Sequence, residues 1–318
     1  MAVMPPEAWM ARALELARRG LYTTDPNPRV GCVLVKDERL VGEGFHERAG
    51  EPHAEVHALG AAGPAARGAT AYVTLEPCSH QGRTGPCALA LIEAGVARVV
   101  VAMADPNPAV AGRGIGLLRQ AGIEVEVGIL EEQARALNPG FIMRMDHGRP
   151  LVRLKMAMSL DGRTAMRSGE SQWITGPQAR REVQRLRARS SAVLTGVDSV
   201  IFDNSRLTVR PEQAELEAGQ LIPGRQPLRV VVDTRLRLPE AAACLTEPGR
   251  TLVATVEGHE PERRTRLEAA GAEVVAFPAD AAGRVDLHAL LRHLADVEQA
   301  NEVLLETGAT LAGAMLDA

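Results

Sequence analysis

The chain has 318 residues, 46% hydrophobic and 24% charged, so each half can bury a core of its own and a disordered or fibrous protein is excluded. The formal charge is −4, divided as 15 basic against 17 acidic residues in 1–150 and 21 against 23 in 151–318; neither half is built for a polyphosphate backbone. Two Trp, two Tyr and four Phe are too few for a base-stacking platform, which leaves no nucleic-acid partner to expect.

No apolar run approaches the ~20 residues of a membrane helix, so no membrane partner is expected. The first residues, MAVMPPEAWMARALELARRG, carry Glu7 and Glu15 and lack the apolar centre of a signal peptide. They read as an amphipathic helix with Trp9, Ala13, Leu14 and Ala17 along one side. Four cysteines, Cys32, Cys78, Cys87 and Cys244, in a chain with no secretion signal are free thiols or metal ligands. A cytoplasmic location follows.

Strand patterns are expected at Val30–Val35, Leu40–Phe45, Thr70–Leu75, Val96–Met103 and Ile123–Val127, with helices at His53–Ala62, Pro86–Ala94 and Ile115–Ala121. This alternation predicts an α/β unit, a sheet covered by helices. The stretch DHGRP (146–150) marks a boundary between domains 1–148 and 149–318. A strand is expected at Leu151–Met158, then an Arg-rich helix over Pro177–Arg189. Further strands are expected at Ala192–Thr195, Arg229–Asp233, Thr251–Thr255, Glu273–Phe277 and Val303–Glu306, with loops at 211–226 and 235–250. The last element is a helix over Thr310–Leu316 in which the sequence stops, predicting a second domain truncated at its C-terminus.

The strongest constellation is His53-Ala54-Glu55, then Pro77-Cys78, then Cys87. One imidazole and two thiolates leave a tetrahedral zinc one open position, the arrangement of a catalytic site. Zinc lowers the pKa of water towards 7, and Glu55 is the candidate proton shuttle. Cys87 follows Gly85-Pro86 and His53 follows Pro52, so both ligands open helices, where partial positive charge favours thiolate. Positions i and i+2 diverge on an ideal helix, so the convergence of His53 and Glu55 depends on the first turn. His57, at i+4 from His53, is a rival ligand, but that pair leaves Glu55 and both cysteines without roles. Cys32 and Cys244 read as buried apolar thiols, and His46 and His80 as pocket-lining or solvent-facing residues. Asn27, between two prolines at a strand entry, is a candidate polar contact for a bound substrate.

In the second half no Gly-x-Gly-x-x-Gly follows a strand, so a Rossmann fold is not indicated. Gly308-Ala309-Thr310, between a strand and a helix, offers backbone N–H groups to a phosphate. Lys155 stands out because the chain has 34 Arg and only two Lys, so arginine serves the generic cationic roles. A compact ammonium there suits a substrate hydroxyl or carbonyl.

The segments PNPRVGCVLV (26–35), AGEPHAEVHAL (49–59), AYVTLEPCSHQGRTGPC (71–87) and DPNPAVAGRG (105–114) resemble the deaminase domain of the bifunctional deaminase/reductase family of riboflavin biosynthesis. LKMAMSLDGRTAMRSGESQWITGPQAR (154–180), LTVR (207–210) and ETGATLAG (306–313) resemble its reductase domain. The resemblance implies a three-layer cytidine-deaminase-like domain followed by a dihydrofolate-reductase-like domain. It implies zinc-dependent removal of the 2-amino group of a diaminopyrimidinone ribose phosphate, then NADPH reduction of the ribosyl group to ribityl. It places Ala157, Trp173, Ser199, Asp203 and the loop Gly308, Ala309, Thr310, Leu311, Ala312, Gly313, Ala314 against NADPH. It places Ser171, Arg187, Leu207, Arg210 and Glu306 against substrate, and implies self-association through the second domain. Phe202, Asn204 and Ser205 stand where the family commonly has Ala, Asp and Pro. With the family's final strands absent, impaired or lost reduction is expected, and a deaminase with an inactive second domain competes with the bifunctional enzyme. A deaminase of cytosine, cytidine or tRNA adenosine would share the zinc constellation, as would a non-catalytic zinc module that senses a nucleotide.

Overall fold

The computed structural model describes residues 4–79, 85–108, 110–167, 173–217 and 220–317. The chain divides into two compact units, Met1–His147 and Gly148–Ala318.

The first unit opens with α1 (Pro6–Arg18), which starts with a proline at its first turn and an acid at Glu7, and ends on Arg18. It buries Met10, Ala13, Leu14, Leu16 and Ala17, while Trp9 is half-buried. Next come β1 (Gly31–Lys36), β2 (Arg39–Phe45), α2 (Ala54–Ala62), β3 (Thr70–Val73), α3 (Cys87–Ala94) and β4 (Arg98–Val101). α4 (Arg113–Gln120), β5 (Glu124–Val127), α5 (Glu131–Leu137) and α6 (Pro139–His147) complete it. The sheet order is β2-β1-β3-β4-β5. β1 pairs antiparallel with β2 and β3, whereas β3, β4 and β5 run parallel. Alternation along β1 sends Cys32 and Leu34 to a core with Ala54, Ala58, Ala88 and Leu91 of α2 and α3. Val33 and Val35 go to the opposite core with Met10, Leu14 and Phe141 of α1 and α6. Helices thus cover both faces, giving three layers. α2 lies close on β2 because Gly44 has no side chain: a Cβ there would meet His57 Cβ at 2.5 Å and the Ala58 backbone nitrogen at 2.7 Å.

The second unit contains β6 (Leu151–Lys155), α7 (Pro177–Arg189), β7 (Ala192–Gly196), α8 (Val197–Asp203), α9 (Pro211–Ala214) and β8 (Leu228–Val232). α10 (Ala243–Thr246), β9 (Thr251–Val256), α11 (Pro261–Ala269), β10 (Ala272–Phe277), α12 (Leu287–Asp296), β11 (Glu302–Glu306) and α13 (Ala309–Leu316) follow. Its sheet runs β10-β9-β8-β7-β11-β6, parallel throughout. Leu194, Val230 and Leu252 point to the face covered by Leu290 and Leu294 of α12. Val231 and Val253 point to the face covered by Leu267 of α11 and Val197 of α8. Both faces being covered explains the near-continuous apolar strands.

Several sequence expectations are corrected. The strand expected to reach Met158 ends at Lys155. β6 pairs only with β11, in register Leu151↔Glu302 to Lys155↔Glu306, and β11 turns into a helix after Glu306, so residues 156–158 have no ladder to join. The strand expected over Val96–Met103 spans only Arg98–Val101 for the same reason: its neighbours end at Val73 and Val127. The stretches expected as loops each contain a single helical turn, α9 and α10. α5, α6, α8, α11 and α12 were not anticipated. The signal for α12 is present in the sequence: Leu287, Leu290, Leu291 and Leu294 at helical spacing behind Asp286, whose side chain accepts from the His288 and Ala289 N–H groups.

Candidate metal centre and reductase cavity

Three loops of the first unit deliver the metal-binding side chains to one point. His53 is the N-cap of α2 with extended backbone (φ −78°, ψ 167°), and Cys87 is the first residue of α3. Cys78 lies in the turn after β3. His53 Nδ1 is 3.6 Å from Cys78 Sγ and 3.3 Å from Cys87 Sγ. Metal–ligand lengths of about 2.0–2.3 Å at tetrahedral angles place N and S donors roughly 3.5 Å apart, so the cluster has the size for zinc. Among the described residues this is the group of three donors that can hold a metal. His57 does not join it, and its Nε2 is buried without a hydrogen-bond partner among the described residues.

Because His53 lies outside the helix, the expected divergence from Glu55 does not arise. Glu55, 3% exposed in the first turn of α2, reaches the Cys87 thiol. Burial pushes its carboxyl up to about 7. A carboxyl with that affinity takes and returns a proton near neutral pH. A hydrogen bond from Cys87, with another from His53, brings the Cys78 thiol well below its ordinary range. The neighbouring Cys78 thiolate, with burial, holds the Cys87 thiol well above its ordinary range. A cation between them removes that conflict.

Asn27 and His46 sit beside the cluster. His46 is 2% exposed, and its ring meets His53 edge-on at 5.1 Å. Its Nδ1 lies 3.1 Å from the Pro52 carbonyl and its Nε2 3.0 Å from Asn27 Nδ2. A ring donating to Pro52 accepts from the Asn27 amide, which leaves the Asn27 oxygen for other donors. Burial lowers the His46 pKa, in keeping with the neutral ring this needs. His80 lies outside the described residues. Sequence reasoning missed Glu76, 3% exposed, whose carboxylate accepts from the backbone N–H groups of Asp105, Gly112, Gly114 and Ile115. The nearest signal is its place two residues before Cys78. Cys32 and Cys244 are fully buried thiols, each raised chiefly by burial.

In the second unit Lys155 and Glu306 are register partners at the ends of β6 and β11. Arg187 of α7 grips Glu306 through Nε at 2.6 Å and Nη2 at 3.0 Å, and its Nη1 donates to the Thr208 carbonyl. Arg210 Nε is buried without a hydrogen-bond partner among the described residues, and its pKa is lowered by burial and by Arg187 and Arg206. Leu207 is 3% exposed and has φ 58°, a left-handed backbone that costs a branched residue energy. Ser171 lies outside the described residues.

A cavity of ≈ 450 Å³ opens at the C-terminal ends of β7, β8 and β11, the usual place for ligands on a parallel sheet. Ser199, Gly308, Thr310, Leu311 and Ala314 line it. Ala309, Ala312 and Gly313 belong to the same helix without forming its wall; Ala312 faces the core at 4% exposed. Ala157, Trp173 and Asp203 do not line it either. Trp173 is 71% exposed, with the Arg180 guanidinium 4.6 Å above its ring. The walls fit a dinucleotide: the N-termini of α8 and α13 at Gly196 and Gly308 offer backbone N–H groups to phosphates. Asp233, 1% exposed on the wall, keeps Oδ1 without a hydrogen-bond partner among the described residues.

A mixed sheet between two helical layers, with His, Cys and Cys around a buried glutamate, defines a zinc-dependent deaminase unit. The family model of the cytidine and deoxycytidylate deaminase zinc-binding region matches residues 4–103, and that of the RibD C-terminal domain matches 150–318. The chain belongs to the RibD family of riboflavin biosynthesis proteins. It is 52% identical to the riboflavin biosynthesis protein RibD of Escherichia coli over 99% of this chain and 85% of that protein. It is similar to the structure of Acinetobacter baumannii RibD, with TM-score 0.88 and 50% identity over 98% of this chain and 83% of that one. A diaminohydroxyphosphoribosylaminopyrimidine deaminase/5-amino-6-(5-phosphoribosylamino)uracil reductase from Thermotoga maritima matches with TM-score 0.82 and 38% identity, over 98% of this chain and 83% of that one. The protein is a bifunctional deaminase and reductase that uses zinc and NADPH. Among the described residues, no helix is long and apolar enough to cross a membrane.

Proposed function

We propose that the first unit removes the 2-amino group of 2,5-diamino-6-(5-phosphoribosylamino)pyrimidin-4-one and that the second reduces the ribosyl group of the product to ribityl. The observation that carries the reading is the His53, Cys78 and Cys87 cluster with the buried carboxyl of Glu55 against it. His53, Cys78 and Cys87 hold the metal. Zinc, when bound, supplies a Lewis acid that yields a nucleophile from water at neutral pH. With the metal in place, Glu55 would accept a proton from the attacking water at its carboxylate, give one to the ring nitrogen and pass one to the departing amine, which leaves as ammonia. Asn27, oriented by His46, holds the polar edge of the pyrimidine.

NADPH supplies the two reducing electrons of the second step. Lys155 and Glu306 flank the reacting ribose, and Arg210 takes the phosphate. Arg187 serves chiefly to hold Glu306. Leu207 and Ser171 complete the substrate side. Ser199 and the Gly308–Ala314 segment bind the cofactor, with Ala157, Trp173 and Asp203 at its margins. The substrate is a free pyrimidine ribose phosphate rather than nucleic acid, in keeping with a charge of −4. A cytoplasmic location and self-association through the second unit belong to the same proposal. Matches to both halves favour two activities over a deaminase with an inactive second domain.

The test is mass spectrometry of the products formed from the diaminopyrimidinone ribose phosphate and NADPH. A ribityl product with release of ammonia is expected. Glu55→Gln should retain zinc and lose ammonia release; normal release from it sinks the deaminase assignment. Lys155→Met should impair NADPH oxidation more than deamination, and equal loss of both contradicts its role.

A further inference from the structure

The helix N-terminus at Gly308 serves any dinucleotide and does not separate NADPH from NADH. The sheet order β8-β7-β11-β6 places Lys155 and Glu306 at one end of the cavity region and the exit of β8 at the other. Reduction requires the nicotinamide beside the substrate, so the adenosine half points towards β8. Two braced turns form the cavity wall there, and together they carry Arg235, Arg237 and Arg284.

In the first turn, Arg235 and Arg237 are exposed on either side of Leu236, which is 2% exposed and held at φ 49°. Leu238 behind them is fully buried. Asp233 Oδ2 accepts from the Leu238 N–H at 2.7 Å, and Arg263 donates to the carbonyls of Leu236 and Leu238. A left-handed, buried leucine persists only where the surroundings over-determine it. Its effect here is to present two neighbouring arginines to the same cavity. In the second turn, Asp280 Oδ1 accepts from the Ala282 and Arg284 N–H groups at 2.9 and 2.8 Å. The Val285 N–H donates to Thr234 Oγ1 at 3.3 Å and ties the two turns together.

Arg235 makes no ion pair or hydrogen bond among the described residues. Arg237 pairs with Asp198 at 2.7 Å and Arg284 with Asp280 at 3.0 Å, both at exposed positions. Exposed pairs of that kind are weak and give way to a better anion. The third acid of the wall, Asp233, holds the turn through Oδ2 alone, and its Oδ1 has no hydrogen-bond partner among the described residues. A phosphate monoester offers three oxygens and close to two charges, and guanidinium forks match it better than single carboxylates do.

We propose that Arg235, with Arg237 and Arg284, binds the 2′-phosphate of NADPH and sets the preference for NADPH over NADH. The inference rests on the cofactor reading above. The N-terminus of α13 at Gly308 remains for the pyrophosphate, which both dinucleotides share.

The experiment is isothermal titration calorimetry of the full chain with NADPH, NADH, 2′,5′-ADP and 5′-ADP. The unmodified chain should bind 2′,5′-ADP at least about tenfold more tightly than 5′-ADP, with affinity falling as salt rises. Arg235→Gln combined with Arg237→Gln should lower the ratio of NADPH to NADH affinity by about 10- to 100-fold, with NADH affinity changed less than about threefold. Arg284→Gln, on the other turn, should lower the same ratio, and Arg235→Lys should retain part of it. A ratio unchanged in every variant, or affinity for both dinucleotides lost in equal proportion, overturns the inference. An unmodified chain that binds neither dinucleotide overturns the cofactor reading itself, and the inference with it.

Discussion

Glu76 and Gly114 are locked together across the deaminase unit: Glu76 Oε1 accepts from the Gly114 N–H at 3.0 Å, and a Cβ on Gly114 would meet the Pro77 carbonyl oxygen at 1.9 Å. The same carboxylate accepts from Ile115, Gly112 and Asp105. The start of α4 is thereby pinned against the backbone that leads into Cys78. Groups that orient a metal ligand usually matter 10- to 100-fold for affinity or activity, roughly. Glu76→Gln turns an acceptor into a donor facing backbone N–H groups. It is expected to weaken zinc binding by about 10- to 100-fold, read by chelator competition. Unchanged zinc affinity would reduce Glu76 to a fold-stabilising role.

The second prediction concerns pH. Burial raises the Glu55 carboxyl to about 7 from the ordinary value of 4.5. A raised folded-state pKa means the folded protein binds the proton more tightly than the unfolded chain. The contribution to stability is therefore complete below about pH 4.5 and is lost as pH rises through about 7. In the metal-stripped protein, the melting temperature of the first unit should fall over this window. Glu55→Gln, which has no carboxyl to titrate, should flatten that component. A slope that survives the substitution unchanged places its origin elsewhere.

The third prediction follows from Arg187 and Glu306. Their side chains are only 12% and 11% exposed and share two hydrogen bonds. Removing one partner of a buried pair strands the other charge, a loss of about 3–5 kcal/mol. Glu306→Ala should therefore lower the stability of the second unit by that order as well as its reductase activity. Denaturant titration of Glu306→Ala, Arg187→Ala and the double variant separates the two effects. A double variant no less stable than either single one is expected, because removing both partners leaves no charge stranded.

Much of this was legible in the sequence, for physical reasons. His53, Glu55, Cys78 and Cys87 are chemically distinctive, and the turns at Pro52, Pro77 and Pro86 set where helices begin. The apolar runs of β1, β7, β8 and β9 reveal burial directly. Less visible were contacts that depend on chain pairing. The early end of β6 is dictated by β11, about 150 residues away in sequence. Glu76 looked like part of a motif, yet its partners lie in 105–115. Arg235 and Arg237 looked like loop arginines, because the turn that presents them depends on Asp233, Arg263 and Thr234 acting together. α11 was missed because Leu267 is its one buried residue, too little for a helical stripe.

The last prediction concerns metal removal and the four cysteines. Cys78 is partly exposed and driven towards thiolate by Cys87 and His53. Cys87 is buried and protonated beside it, while Cys32 and Cys244 are buried with raised pKa values. Thiolate character and access together set alkylation rates. With zinc bound, all four should resist iodoacetamide. After chelation Cys78 should be modified first and Cys87 next, with Cys32 and Cys244 reacting only on unfolding. Peptide mapping by mass spectrometry gives the order. Ammonia release should disappear with the metal, while NADPH oxidation with the deaminated substrate persists, because that chemistry uses the other unit's cavity. Cys32 or Cys244 reacting as fast as Cys78 would mean that chelation unfolds the chain rather than emptying one site.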